Sequence, residues 1–139
     1  MGAWGHLSFD NDTTNDWASG LEKVDDLSLV ESAFDELEDI SDDYLEEDIA
    51  CAAIGACEVI ARLLGNPGYT NVYTEKVDLW VAARKLKPSP ELLQRAVAAI
   101  DRIITDNSEL CELWEENDDW IGAMEDLRSR LQTYICRLG

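Results

Sequence analysis

Residues 48–64 read DIACAAIGACEVIARLL. Within them Ile49, Ala53, Ala56, Ile60 and Leu63 recur at alternating spacings of four and three, which lines them along one face of a helix. Ala50, Ala52, Cys57 and Val59 fill much of the remaining circumference. A helix that is apolar nearly all round is buried among other helices. Its small residues (Ala50, Ala52, Ala53, Gly55, Ala56) let neighbours approach closely. The stretch therefore predicts the central helix, about residues 46–64, of an all-α bundle.

Upstream, the segment FDNDTTNDWASGL offers Asn11 or Asp12 as the cap of a short helix. Trp17 and Leu21 share one face of it, and Gly20 marks its end. Asp10-Asn11-Asp12 does not continue as an EF-hand loop. Asn15 and Leu21 stand where that loop needs glycine and glutamate, which leaves capping as the role of these acids. Ser28 with Glu31 makes a capping box, opening a helix with Val30, Ala33, Phe34, Leu37 and Ile40 inward. Glu31, Asp35, Glu38 and Asp39 face water in this reading. Ser41-Asp42-Asp43 breaks the helix, and Tyr44 is the earliest start of the central one.

Downstream, Gly65-Asn66-Pro67-Gly68 is a stop and a turn. Tyr69 to Tyr73 has strand-forming residues but no second strand to pair with. Thr74 caps a helix carrying Val77, Trp80, Val81 and Arg84, and Lys87-Pro88 ends it. Ser89-Pro90 starts the next, with Leu93, Ala96, Val97, Ile100, Ile103 and Ile104 as its stripe. Asp106-Asn107 halts that helix, and Ser108 caps a short one with Leu110, Leu113 and Trp114 inward. The last helix spans about residues 119–138; its seam is Trp120, Met124, Leu127, Leu131, Tyr134 or Ile135, and Leu138. Asp126 and Arg130 are spaced to pair on it. The sum is six or seven helices in one domain, residues 1–139, with Trp17 and Trp114 as core residues tying short helices to the bundle.

A chain of 139 residues with 46% hydrophobic residues can bury a core of its own. Its net charge is −19, unevenly placed: between Glu22 and Asp48 there are 13 acids and Lys23 alone opposes them. That field repels phosphate backbones and excludes ordinary nucleic-acid binding. It keeps the protein soluble, and it draws in a basic protein partner. Cys51, Cys57, Cys111 and Cys136 form no CxxC pair, and His6 is the single histidine, so a zinc site has no support. Cys51 and Cys57, six apart, sit about 120° from one another around a helix and read as buried small hydrophobes. No apolar run reaches membrane length, and MGAWGHLSFDND lacks the features of a secretory leader. A cytoplasmic protein with no membrane contact is the expectation.

No two carboxylates are marked as catalytic partners, His6 has no nucleophile beside it, and the glycines form no phosphate loop. Catalytic residues, cofactors and metal ligands are all expected to be absent. The candidate interaction residues are Trp4, Asp10 and Asp12 near the start, then Asp35, Glu38, Asp39, Asp42 and Asp43. Trp4, Phe9 and Trp17 among carboxylates can form a binding rim. The structural alternative is that Trp4 and Phe9 plug the core while Asp10 and Asp12 cap helices. The expected function is a non-enzymatic acidic binding protein, of inhibitor or immunity type. A nucleic-acid mimic is the alternative, followed by a carboxylate-based metal-binding protein or hydrolase.

Met1-Gly2-Ala3-Trp4-Gly5, then Phe9-Asp10-Asn11-Asp12 and Asp16-Trp17, resembles the start of a bacterial family catalogued as domain of unknown function 4259. Tyr44 with the acidic and then alanine-rich helix to Leu64 is similar to that family's middle section. Asp106-Asn107-Ser108-Glu109-Leu110 with Leu113-Trp114-Glu115-Glu116 is similar to its late signature. The chain departs at Leu7, where the resemblance leads one to expect glycine. The resemblance implies a small helical protein and supplies no reaction, cofactor or catalytic residue.

Overall fold

Seven α-helices follow one another among the described residues of the computed structural model. They are α1 (Asp12–Ser19), α2 (Ser28–Asp39), α3 (Glu47–Leu63), α4 (Glu75–Arg84), α5 (Pro90–Ile103), α6 (Glu109–Trp114) and α7 (Asp118–Leu138), with a 3-10 turn (Gly20–Lys23) after α1. The described residues are 12–24, 26–40, 43–64, 75–84, 86–105, 108–114 and 118–138, with side chains left aside at 12–13, 15, 113–114, 118–119 and 133–138. Expectations for the turn at Gly65–Gly68, for Tyr69–Tyr73, for the Thr74 cap, for Cys136 and for the side chains of Leu113, Trp114, Tyr134, Ile135 and Leu138 fall outside these.

The predicted central helix is α3, and it touches each of the other six α-helices. From Ala53 through Arg62 every one of its residues is buried. Its small residues work as the sequence suggests. A Cβ added to Gly55 would lie 2.9 Å from Cε3 of Trp17 and 3.0 Å from Cγ2 of Thr14, closer than the 3.5–4.0 Å at which carbon atoms attract. Glycine therefore lets α1 rest directly on α3. Trp17 lies over this spot half-buried, packed against the core, so the expected full burial is not reached. The Thr14 hydroxyl donates to the Cys51 carbonyl at 3.3 Å across the same contact.

Around α3 the predicted stripes turn inward. Val30, Ala33, Phe34 and Leu37 of α2, Val77 and Trp80 of α4, Leu93, Ala96, Val97, Ile100 and Ile103 of α5, Leu110 of α6, and Trp120, Met124, Leu127 and Leu131 of α7 form one core with it. Ser89 caps α5, accepting from the Leu92 N–H at 3.1 Å, with Pro90 at the first turn. Ser108 Oγ accepts from the Cys111 N–H at 3.4 Å at the start of α6.

One expected helix start is corrected. Ser28 and Glu31 form no capping box: Leu27 is the N-cap of α2, with no side-chain cap bond, and Asp26 Oδ1 accepts from the Ser28 N–H at 3.0 Å. The Asp26 carboxyl is held below its usual pKa by the Ser28 hydroxyl and then the Ser28 N–H. The central helix starts at Glu47, one residue from the expected 46; it does not reach back to Tyr44, its earliest candidate start, because Leu45 is taken up in an isolated parallel bridge with Ser108.

Candidate functional site

The bridge between Leu45 and Ser108 brings together two segments far apart in the chain. The Glu109 N–H donates to the Leu45 carbonyl at 2.8 Å. In return, Glu109 Oε1 accepts from the Glu47 N–H at 2.9 Å. The first turn of a helix has backbone N–H groups without intrahelical partners and a partial positive charge. Glu46, the N-cap of α3, offers no side-chain bond, so a carboxylate from α6 fills that role. Beside it the Tyr44 hydroxyl donates to Glu112 Oε2 at 2.7 Å. That bond, then partial desolvation and the surrounding carboxylates, push the Tyr44 pKa up to about 12.

A second constellation lies inside the bundle, and the sequence reading passed over it. Glu58 and Arg62 sit one turn apart on α3, 1% and 4% exposed. Arg62 Nη1 donates to Glu58 Oε2 at 2.5 Å, while its Nε donates to Asp78 Oδ1 of α4 at 2.8 Å. Arg130 of α7 reaches the other Glu58 oxygen with Nη2 at 3.1 Å and bonds Asp126 through Nε at 3.0 Å. Burial opposes the Arg130 charge. The attraction and hydrogen bond of Glu58, and then Asp126, outweigh it and raise the guanidinium above its ordinary pKa. The expected Asp126–Arg130 pair is thus present as the outer edge of a network joining α3, α4 and α7.

The predicted interaction residues divide. Asp35 and Glu38 lie exposed on α2, and both are gripped by Arg95 of α5. Arg95 Nη2 donates to Asp35 Oδ1 at 2.6 Å, and Nε donates to Glu38 Oε2 at 2.8 Å. The Glu38 hydrogen bond, and then Asp35, raise the Arg95 pKa against partial burial. Asp39 is exposed at the end of the same helix, and Asp43 is exposed just beyond it. The Asp43 carbonyl accepts from Arg102 Nη2 at 2.6 Å. Asp12 begins α1, with its side chain outside the described set; Trp4, Asp10 and Asp42 lie outside the described residues altogether.

The chemistry open to these groups follows from access. Glu58 shares its charge between two guanidiniums beneath the surface, which suits a structural clamp. Burial pushes the Cys51 thiol up to about 12 and the Cys57 thiol well above its usual value, so neither is a ready thiolate. Among the described residues no group of three or more His, Cys, Asp and Glu side chains is arranged to hold a metal ion. None of their helices is long and apolar enough to cross a membrane.

The pattern described as "Domain of unknown function (DUF4259)" matches residues 2–125, nearly the whole chain. The chain belongs to the DUF4259 family. No curated protein and no solved structure matches it. Within this DUF4259 chain, the middle and late sequence motifs are the two segments that meet at the head of α3. Glu109 of the late motif closes the helix that follows Tyr44. Glu109 could be suspected from the sequence because an acid follows Ser108, but its partner Glu47 could not. The buried network left a fainter signal: Glu58 and Arg62 are charges in a helix that has no polar face to put them on.

Proposed function

We propose that this protein works without catalysis, by binding a basic surface on another protein through the outer face of α2 and the acidic turns around it. The observation that carries this reading is the fixed display of carboxylates there. Glu31, Asp35, Glu36, Glu38, Asp39 and Asp43 are all exposed, with Arg95 as the guanidinium bonded to two of them. The helix is anchored by Val30, Phe34 and Leu37, so the charges are held in place before a partner arrives. Preorganised charge of one sign raises the encounter rate with a surface of the other sign and penalises wrong partners. An inhibitor or immunity-type protein, which neutralises a basic enzyme by covering it, is the concrete form.

The test is affinity capture from a lysate of the source cells at physiological and at high salt. It compares the wild type with a charge-reversed α2 (Glu31→Lys, Glu36→Lys, Asp39→Lys). A basic protein retained by the wild type at physiological salt, released by high salt and lost with the reversed helix supports the reading. Capture indifferent to salt and to the reversal overturns it.

A further inference from the structure

Most ways of bringing two copies of this chain together set acid against acid, since 30 Asp and Glu residues stand against 11 Lys and Arg. The surface where α4 runs beside the 3-10 turn is different. Its exposed charges are Glu22 and Lys23 on the turn and Glu75 and Lys76 at the start of the helix, two of each sign. Asp78 of α4 is engaged by Arg62 at 2.8 Å, and the Arg84 guanidinium lies 5.2 Å from the Trp80 ring centroid. Between the two elements runs an open groove of roughly 330 Å³, lined by Glu22, Lys76, Leu79, Trp80, Ala83 and Arg84. Its floor is stiff, because Trp80, 3% exposed, donates from Nε1 to the Val24 carbonyl at 3.0 Å. On the α4 wall Leu79 stands 65% exposed, with exposed Ala82 and Ala83 one turn on. Tyr44 is the other large hydrophobic side chain left exposed among the described residues, and its hydroxyl is bonded to Glu112.

We infer that a second copy of this chain covers the groove, in a twofold dimer. A twofold contact uses the same patch on both copies, so the patch must complement itself. A twofold axis along the groove lays the α4 wall of each copy against the 3-10 wall of the other. The Glu75–Lys76 wall of one copy then meets the Glu22–Lys23 wall of its partner, twice over, and Lys76 is set against Glu22. Leu79 of each copy enters the other's groove beside Trp80, where a rigid floor lowers the ordering cost of docking. Water released from Leu79 supplies the attraction, and the paired charges of the rim fix the register. A segment of either single charge sign would find half of this rim repulsive; a copy brings both signs in the arrangement that matches. This surface lies on other elements than the acidic face of α2, and the inference stands whether or not α2 binds a basic partner.

The experiment is sedimentation velocity of the full chain over micromolar to millimolar concentrations. It is run at physiological salt, where repulsion between exposed charges fades beyond about 8 Å. A monomer–dimer equilibrium is expected. Leu79→Asp, Lys76→Glu and Glu22→Lys, all at exposed positions, should each weaken it at least about tenfold, a difference of about 1.4 kcal/mol, while circular dichroism stays unchanged. An equimolar mixture of the Lys76→Glu and Glu22→Lys chains should recover the dimer, because each contact across the axis then joins a glutamate to a lysine. The charge that one variant loses is the charge that the other gains, so long-range repulsion in the mixed pair equals that between two wild-type chains. Four results overturn the inference: a monomer at every concentration, a dimer indifferent to Leu79→Asp or to both single reversals, a mixture that stays monomeric, or association that grows beyond the dimer, which a closed twofold contact forbids.

Discussion

Two clusters of charge tie helices together in this protein, with nearly the same bond lengths. Arg62 and Arg130 hold Glu58 at 2.5 and 3.1 Å, and Arg95 holds Asp35 and Glu38 at 2.6 and 2.8 Å. Their surroundings differ completely. The Glu58 side chain is 2% exposed and that of Arg62 1%, whereas Asp35 and Glu38 are 66% and 52% exposed. Water screens the second cluster and leaves it worth about 0–1 kcal/mol. In the first, each charge has lost its hydration and depends on the others, so removing one partner costs about 3–5 kcal/mol. That figure is the penalty for breaking the set, since a well-packed apolar replacement of the whole set can be neutral. Distance alone says little about the energy of an ion pair; the solvent around it decides.

The sharpest way to break this comparison is Glu58→Gln, which keeps the shape and removes the charge that Arg62 and Arg130 share. Chemical denaturation should show a loss on the order of 3–5 kcal/mol, a large part of the roughly 5–15 kcal/mol that holds a domain folded. A loss below about 1 kcal/mol would place the network in the screened class with Arg95.

The next test asks whether α3 is as tightly enclosed as the dry network requires. Gly55→Ala places a methyl against Trp17 and Thr14, an overpacking cost of about 1–3 kcal/mol. The gain of up to about 1 kcal/mol in helix propensity opposes it. A net drop in thermal midpoint is expected. A net rise would mean that α1 gives way easily and that the packing over α3 is loose.

Arg95→Ala probes the exposed cluster and should cost no more than about 1 kcal/mol through the ion pairs. The Arg95 guanidinium also lies 5.8 Å from the Phe34 ring centroid, a partly exposed contact worth about 0.5–1 kcal/mol. A double-mutant cycle with Asp35→Ala separates the two, since only the Asp35 coupling should fade in high salt. Coupling that persists at high salt would erase the contrast with Glu58.

The smallest effect is expected at Tyr44, an exposed hydroxyl bonded to a carboxylate. Its folded pKa is raised from 10.0 to about 12, so between those values the folded chain keeps a proton that the unfolded chain has released. Its contribution is therefore complete below pH 10 and is lost as pH rises toward 12. Tyr44→Phe should remove that part of the alkaline decline and the late-titrating component of the tyrosinate absorbance. An unchanged absorbance titration in the variant would show that Tyr44 ionises at an ordinary pH.

Local patterns were legible wherever the deciding partner lay within a turn or two. The Ser89 cap, Pro90 at the first turn and the Asp126–Arg130 pair all act between near neighbours in the chain. The acids of α2 were legible as exposed for the same reason: their helix's other face carries Val30, Phe34 and Leu37. At the start of α2, by contrast, two local oxygens competed, and Asp26 rather than Ser28 closed the turn. Binary pattern does not rank such rivals.

By itself the sequence determined that this is an all-α protein, that a helix of about residues 46–64 lies at its centre and that its charge is concentrated around α2. Periodicity and composition carry those facts because burial acts on every residue of a helix in step with its turn. Tertiary structure alone decided the role of Glu58 and Arg62. In the sequence they are two charges, four apart, in a helix with no polar face. Only the arrival of Asp78 from α4 and of Arg130 from α7 supplies their further partners. It also decided that Glu109 closes α3, across 62 residues of chain. A lone charged residue carries no mark of its distant partner; enclosure by the other helices takes the water away, and an opposite charge or a backbone dipole must then replace it.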